Sequence, residues 1–339
     1  MEKNGENKSQ SEKEMWIIDT DPGCDDMFCL LYMLNRKDID IKMISLVEGN
    51  TTMSNVKVNM RKILKLTNRE DVPVYEGCGV ILSGCPNAHH VHGDDGLGCI
   101  DDLVAMPYEH IPMGQGNAAV KMVELFETYP GQINLLMVGP LTNLAIAYML
   151  NPNIVNLIKS FYTMGGAIQS RGNISPAGEF NYTFDFMAPR IVLSNFKNTI
   201  LIPWEPIEPH IFKFEEFVTI KRNLIESEKK YHELTCSISE KMFHDFTHRR
   251  GGFMMCDLYA AITIFNQDVV KSCFIGQCDT TIDSEGLRGS LNVKSRRKVN
   301  NLEEGIQELT KLNKPGYQLV IDVLDRETIV LEVHNIYYA

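Results

Sequence analysis

Residues 15–26 read MWIIDTDPGCDD. An apolar run, Met15 to Ile18, leads directly into four Asp within eight residues: Asp19, Asp21, Asp25 and Asp26. The run predicts a buried strand, and Pro22–Gly23 predicts a tight turn at its end. Asp25 and Asp26 then fall in the first turn of a helix, DDMFCLLYMLN, where free N–H groups and the positive helix end favour a carboxylate. Four ionised carboxylates this close repel one another, so protons or a cation must neutralise them. Capping and solvation account for one or two of them, not for four behind a buried strand.

An all-oxygen donor set suits a hard cation, Ca²⁺ or Mg²⁺. With no adjacent His and no Cys pair, zinc is disfavoured, and the spacing of an EF-hand loop is absent. A phosphatase of the haloacid dehalogenase type also begins with a strand and DxD, and would use Asp19 as nucleophile. That pattern expects Thr or Val where Gly23 stands, and Pro22 precedes it.

Working outward, the chain alternates strand and helix. IKMISLVEG, VPVYEG, INLLMVG, FYTMGG and TILIPWE read as strands. TTMSNVKVNMRKILKLT, GNAAVKMVELFETYP, LTNLAIAYMLN and CDLYAAITIFN read as helices. YQLVIDV and TIVLEVHNIYY read as late strands, and the polar stretch from Phe214 to Arg250 as a helical excursion. Apolar strands separated by helices predict an α/β fold: an open, mostly parallel twisted sheet with a Rossmann-like core, flanked by helices. Ligands of such sheets bind beyond the carboxyl ends of the strands. Two long connections, 77–115 and 165–182, follow strand ends on that side and are candidate site loops.

The 339 residues are 44% hydrophobic and 23% charged, ordinary for a globular chain. A net charge of -11 disfavours a polyphosphate partner, so no nucleic acid is expected. No run reaches the ~18 apolar residues of a membrane span. Residues 1–14 are polar, lack a signal peptide's apolar stretch and read as a disordered tail, leaving 15–339 as a single domain. Nine scattered Cys without a CxxC pair suggest free thiols in a reducing compartment, with the cytoplasm as the expected location.

DTDPGCDD, together with EGN (48–50), HVHGDDGLG (90–98), VGPLTN (138–143), MGG (164–166), GEFN (178–181) and CDLYAA (256–261), resembles the nucleoside hydrolases, the inosine–uridine-preferring group and its relatives. The order of motifs agrees from residue 15 to the end. The resemblance implies the nucleoside hydrolase fold, one Ca²⁺ at the pocket floor, and calcium-dependent hydrolysis of ribonucleosides to free base and ribose, in a homodimer or homotetramer. It implies Asp21, Asp26, the carbonyl of Val138 and Asp257 as metal ligands. Asp21 would also be the general base. Asp25, Asn50, Glu179 and Asn181 would hold ribose hydroxyls, Asn173 would reach the 5′-hydroxyl, and Met164 and Phe180 would pack near the sugar. His92 would lie toward the base, and Asp19 would support the metal site from behind.

The residue types suit that chemistry. Cleaving an N-glycosidic bond develops an oxocarbenium-like sugar. A metal acidifies a bound water, and a carboxylate beside it can take the proton.

Two departures stand out. Cys256 stands where many members carry His, expected to protonate the leaving base, and a subgroup carries Cys. A thiol there is either that acid or a small buried apolar group. If it is the latter, the acid falls to His92, His244, His248 or another group, or is absent. IPWEPIEPH (202–210) replaces a Gly-Leu-Asp-Leu-Thr-like run, with Glu205 in place of the Asp and Trp204 beside it. His89 and His90 read as solvated loop, and HRRGG and KSRRKVN as solvated surface, with Arg249 and Arg250 kept as weak candidates for contact with a substrate. A chain that binds a nucleoside without turning it over is the remaining alternative.

Overall fold

The computed structural model describes residues 13–83, 92–213, 215–216, 252–281 and 285–338. The strands are β1 (Glu14–Thr20), β2 (Ile39–Leu46), β3 (Val74–Glu76), β4 (Ile133–Met137), β5 (Ile158–Met164), β6 (Thr199–Ile202), β7 (Phe212–Lys213), β8 (Gly252–Phe253), β9 (Val270–Thr280), β10 (Leu291–Val299) and β11 (Gln318–Leu324). Nine of them form one sheet in the order β10-β9-β11-β6-β5-β4-β1-β2-β3, and β7 pairs with β8 apart from it. β3, β2, β1, β4, β5, β6 and β11 run parallel; β9 runs against β11, and β10 against β9. The expected open, mostly parallel α/β sheet is therefore present.

β1 lies between β4 and β2. The chain leaves it first toward β2 and β3, then returns on the other side through β4, β5 and β6. That reversal opens a crevice above the carboxyl end of β1, where the four Asp begin.

Both faces of the sheet are covered, so β1 reads as a continuous apolar run instead of alternating. Trp16 and Ile18 belong to one buried cluster and Ile17 to the other. The Cys24–Asn35 helix is buried along almost its whole length and packs on the Cys256–Phe265 helix. The Met53–Thr67 helix buries Met53, Val56, Met60, Ile63 and Leu64 on one face. Each such side chain contributes about 1.5–3 kcal/mol on burial. Thr52 caps its start, accepting from Asn55 N at 3.4 Å, and Asn68 ends it in the left-handed conformation at φ 52°.

Three features differ from the sequence expectation. TIVLEVHNIYY is not a strand but most of a helix, Arg326–Tyr338. Asp325 starts that helix by accepting from Thr328 N at 3.1 Å and Thr328 Oγ1 at 2.6 Å, while Ile329 and Val333, one turn apart, are its buried pair. β9 and β10 were not anticipated. β10 carries KSRRKVN as the exposed edge of the sheet, and its Lys and Arg guard that edge against further pairing. β1 begins at Glu14, inside the stretch read as tail. Most of the 214–250 excursion, with His244, His248, Arg249 and Arg250, lies outside the described residues, as do His89 and His90.

Candidate active site

The carboxylates converge because two helices start at the same place. Asp25 and Asp26 occupy the first turn of the Cys24–Asn35 helix, and Asp257 the first turn of the Cys256–Phe265 helix. Ligand oxygens of Asp25, Asp26 and Asp257 lie within 4.8 Å of one another, and all three residues are buried. Asp21, fully buried, joins them from the end of β1.

Each carboxylate is aimed by backbone and side-chain donors. Asp26 accepts from Thr20 Oγ1 at 2.5 Å, Gly23 N at 3.0 Å and Asn50 Nδ2 at 2.8 Å. Asp21 Oδ2 accepts from Asn50 N at 2.7 Å, while its Oδ1 is buried and has no hydrogen-bond partner among the described residues. Asp25 Oδ1 is likewise without one and faces His92 Nε2 at 3.7 Å. The Cys256 thiol donates to the Asp25 carboxylate. The site therefore presents buried oxygens whose donors stop short of satisfying them. Such oxygens ask for a further cationic or hydrogen-bonding partner.

Electrostatics agree. Burial raises the pKa of Asp21 well above the ordinary carboxylate range, and the neighbouring Asp26 charge adds to it. Burial, then the Asp25 and Asp26 charges, do the same to Asp257. Asp25 is pushed up to about 6 by burial. An all-oxygen, buried, mutually repelling set fits a hard divalent cation.

Of the other expected site residues, Val138, Met164, Glu179 and Asn181 are linked to one another. Val138 follows β4, and its carbonyl accepts from Asn181 Nδ2 at 2.7 Å. Asn181 also reaches the carbonyl and sulfur of Met164, at 3.4 and 3.6 Å. Glu179 caps the short Phe180–Phe184 helix, accepting from Asn181 N at 2.9 Å, Tyr182 N at 3.2 Å and Gly166 N at 2.7 Å. Burial lifts its pKa to about 7 against those three donors. The Phe180 ring packs on Phe184 at 5.4 Å between centroids. Asn173 N bonds Gly178 O at 3.1 Å, and its Oδ1 is buried without a partner among the described residues. Asn50, expected on the ribose, turns its amide N–H groups to Asp21 and Asp26.

His92 accepts the Cys24 N–H on Nδ1 at 3.2 Å, which assigns its proton to Nε2, toward Asp25. Burial holds its pKa down to about 4, so the ring is neutral at pH 7.

Sequence reasoning missed what lies behind the cage. Asn143 donates to Asp19 Oδ2 at 2.7 Å, Ser45 Oγ at 2.9 Å and the Leu46 carbonyl at 2.9 Å, and accepts from Cys78 N at 2.8 Å. Ser45 also donates to Asp19. Asp19 is wholly buried under these partners. That seals it from a phosphate ester and removes the geometric case for a nucleophile. The VGPLTN motif contained Asn143, but its partners come from three distant segments. Gly49 and Gly139 were missed as well: a side chain on either would run into Asp21.

The family described as inosine-uridine preferring nucleoside hydrolase matches residues 16–327. A probable uridine nucleosidase 1 of Oryza sativa subsp. japonica is 30% identical over 72% of this chain and 73% of its own length. The inosine-uridine preferring nucleoside hydrolase of Leishmania major is 34% identical over 55% of this chain and 59% of its own, so the match spans about three fifths of that enzyme. Two solved structures share the fold: a plant nucleoside hydrolase (TM-score 0.81, 22% identity, 96% of this chain and 99% of that one) and an inosine-guanosine nucleoside hydrolase (0.79, 24%, 96% and 98%).

Proposed function

The chain belongs to the inosine-uridine preferring nucleoside hydrolase family and is an enzyme that hydrolyses ribonucleosides to base and ribose; from that premise we propose how its pocket does so. The observation that carries the reading is the buried, unpartnered Asp21 Oδ1 beside the Asp25–Asp26–Asp257 cluster.

Asp21, Asp26, Asp257 and the Val138 carbonyl would hold a divalent cation, with Ca²⁺ favoured by the oxygen-only donors. When bound, that ion supplies charge neutralisation and acidifies a water. Asp21 is the general base. One of its oxygens is fixed by Asn50 N, and the proton is assigned to the other, Oδ1, which has no partner among the described residues. Asp25 binds a ribose hydroxyl, steadied by the Cys256 thiol. Glu179 and Asn181 close the sugar site beside Met164, and Asn173 offers its buried Oδ1 to the far end of the ribose. Phe180 covers the sugar face. These contacts hold the ribose against the attacking water.

The Cys256 thiol, engaged with Asp25, acts through that carboxylate and not on the leaving base. His92, neutral with Nε2–H directed into the pocket, donates a hydrogen bond near the base.

Residues 15–339 form one domain on this reading, in a cytoplasmic homodimer or homotetramer with no nucleic-acid or membrane partner. No helix among the described residues is long and apolar enough to cross a membrane.

The test is turnover of inosine, uridine, adenosine and cytidine, one at a time with Ca²⁺, reading free base and ribose. Ribose release abolished in Asp21→Ala supports the reading. Nucleoside binding without release from any of them would favour a binding protein instead.

A further inference from the structure

Glu205 is buried in the short Trp204–Ile207 helix after β6. Its carboxylate accepts two successive backbone N–H groups, Ile168 N on Oε2 at 2.9 Å and Gln169 N on Oε1 at 2.5 Å. Two residues earlier, Gly166 N goes to Glu179. The stretch 165–169 is thus held by two buried carboxylates. The strand ends add to this: Gly165 N bonds Ile202 O at 3.1 Å, Trp204 N bonds Gly166 O at 2.9 Å, and Leu291 N bonds Ala167 O at 2.8 Å.

This stretch is the near end of the loop that carries Asn173 and returns at Glu179. The far end is fixed by Gly178, whose carbonyl accepts from Asn173 N at 3.1 Å. Glu179 links the two ends directly, and Asn181 continues the chain of contacts to Met164 and the Val138 carbonyl. Glu205 thus anchors two consecutive backbone N–H groups at the start of the loop.

We infer that Glu205 is a positioning residue for ribose binding: it fixes the start of the 165–179 loop, and through it the sugar contacts, without touching substrate or cation. The inference rests on the ribonucleoside hydrolase reading. It also gives a role to the 202–210 segment, the second departure from the expected motif, which supplies the clamp.

Glu205→Gln keeps the shape but turns an N–H₂ group toward one of the two donors. Glu205→Asp keeps both acceptors on a shorter arm. The experiment compares amide exchange over 165–179, Ca²⁺ affinity by calorimetry, and kcat and KM for ribonucleosides. In Glu205→Gln, exchange at Ile168 or Gln169 accelerates about tenfold or more. KM rises about tenfold with a smaller change in kcat, and Ca²⁺ affinity is unchanged. Glu205→Asp restores part of both effects. Unchanged exchange, or faster exchange with wild-type kinetics, overturns the inference. A fall in Ca²⁺ affinity matching the rise in KM also overturns it, because the effect would then be general loosening. Should the wild-type chain release no ribose from any nucleoside, the hydrolase reading falls, and the exchange comparison still decides whether Glu205 fixes the loop.

Discussion

Gly49 lies against Asp21 so closely that an ideal Cβ on Gly49 would overlap Asp21 Oδ2, the oxygen that accepts from Asn50 N. On the opposite side, a Cβ on Gly139 would stand 2.8 Å from Asp21 Oδ1. Asp21, the proposed general base, occupies a slot cut by two glycines from different strand ends, and its orientation depends on both.

Gly49→Ala should therefore displace the Asp21 carboxylate without unfolding the sheet. Overpacking of this kind costs about 1–3 kcal/mol. Calorimetry should find Ca²⁺ binding weakened, and turnover should fall by about a hundredfold or more. Wild-type kcat/KM in this variant would show that the slot is not needed.

Asp21→Asn preserves volume and removes both the base and one of the repelling charges. Ribose release should drop by about 10²–10⁴-fold. In cation-free buffer the melting temperature should hold or rise, since the burial penalty and the Asp26 repulsion that act on this carboxyl are removed. Release assays and thermal melts check the two halves separately.

Cys256→Ala tests what the thiol does. A hydrogen bond to Asp25 is a modest net contribution of about 0.5–1.5 kcal/mol, so kcat/KM should fall by about two- to tenfold. The fall should be equal for inosine and for p-nitrophenyl riboside, whose leaving group needs no proton. A loss confined to inosine would make the thiol the leaving-group acid.

The pH dependence of stability has a definite sign. Asp19 and Glu179 are raised by burial to about 7 and Asp25 to about 6, all above their unfolded values. Between about pH 4 and pH 7 the folded cation-free chain binds more protons than the unfolded one. Their contribution to stability is complete below about pH 4 and is lost as pH rises toward 7. Cation-free protein should melt higher at pH 5.5 than at pH 7.5. Ca²⁺ at about a hundred times its dissociation constant should add ~2.7 kcal/mol at pH 7.5, and less at pH 5.5, where protons compete. Chemical denaturation at both pH values with and without Ca²⁺ measures all four states.

Asn143→Leu should cost several kcal/mol, because it strips Asp19, Ser45 and the Leu46 carbonyl of a donor and Cys78 N of an acceptor in a sealed interior, each worth about 1–3 kcal/mol. A lowered urea midpoint would report it.

How much of this was legible depended on distance along the chain. The Asp cage was readable because strand, turn and helix start are consecutive in MWIIDTDPGCDD. Its partner Asp257 was readable only through the family's motif order. Asn143 was not, because an amide that touches Asp19, Ser45 and Cys78 leaves no local pattern. The Arg326–Tyr338 helix was misread because its Ile, Val and Thr content imitates a strand. The cap at Asp325 and the four-residue spacing of Ile329 and Val333 carried the opposite signal. β10 was read as surface, and its exposure was right; its pairing with β9 required tertiary context.

β1 sits in mid-sheet with its neighbours on both sides drawn from later in the chain, and Asp257 arrives on a helix that follows β8. The Asp19–Asp26 stretch and Asp257 lie far apart along the chain and are brought together only by tertiary folding. On the proposed cation reading, ion capture is therefore coupled to the docking of the Cys256–Phe265 helix on the Cys24–Asn35 helix.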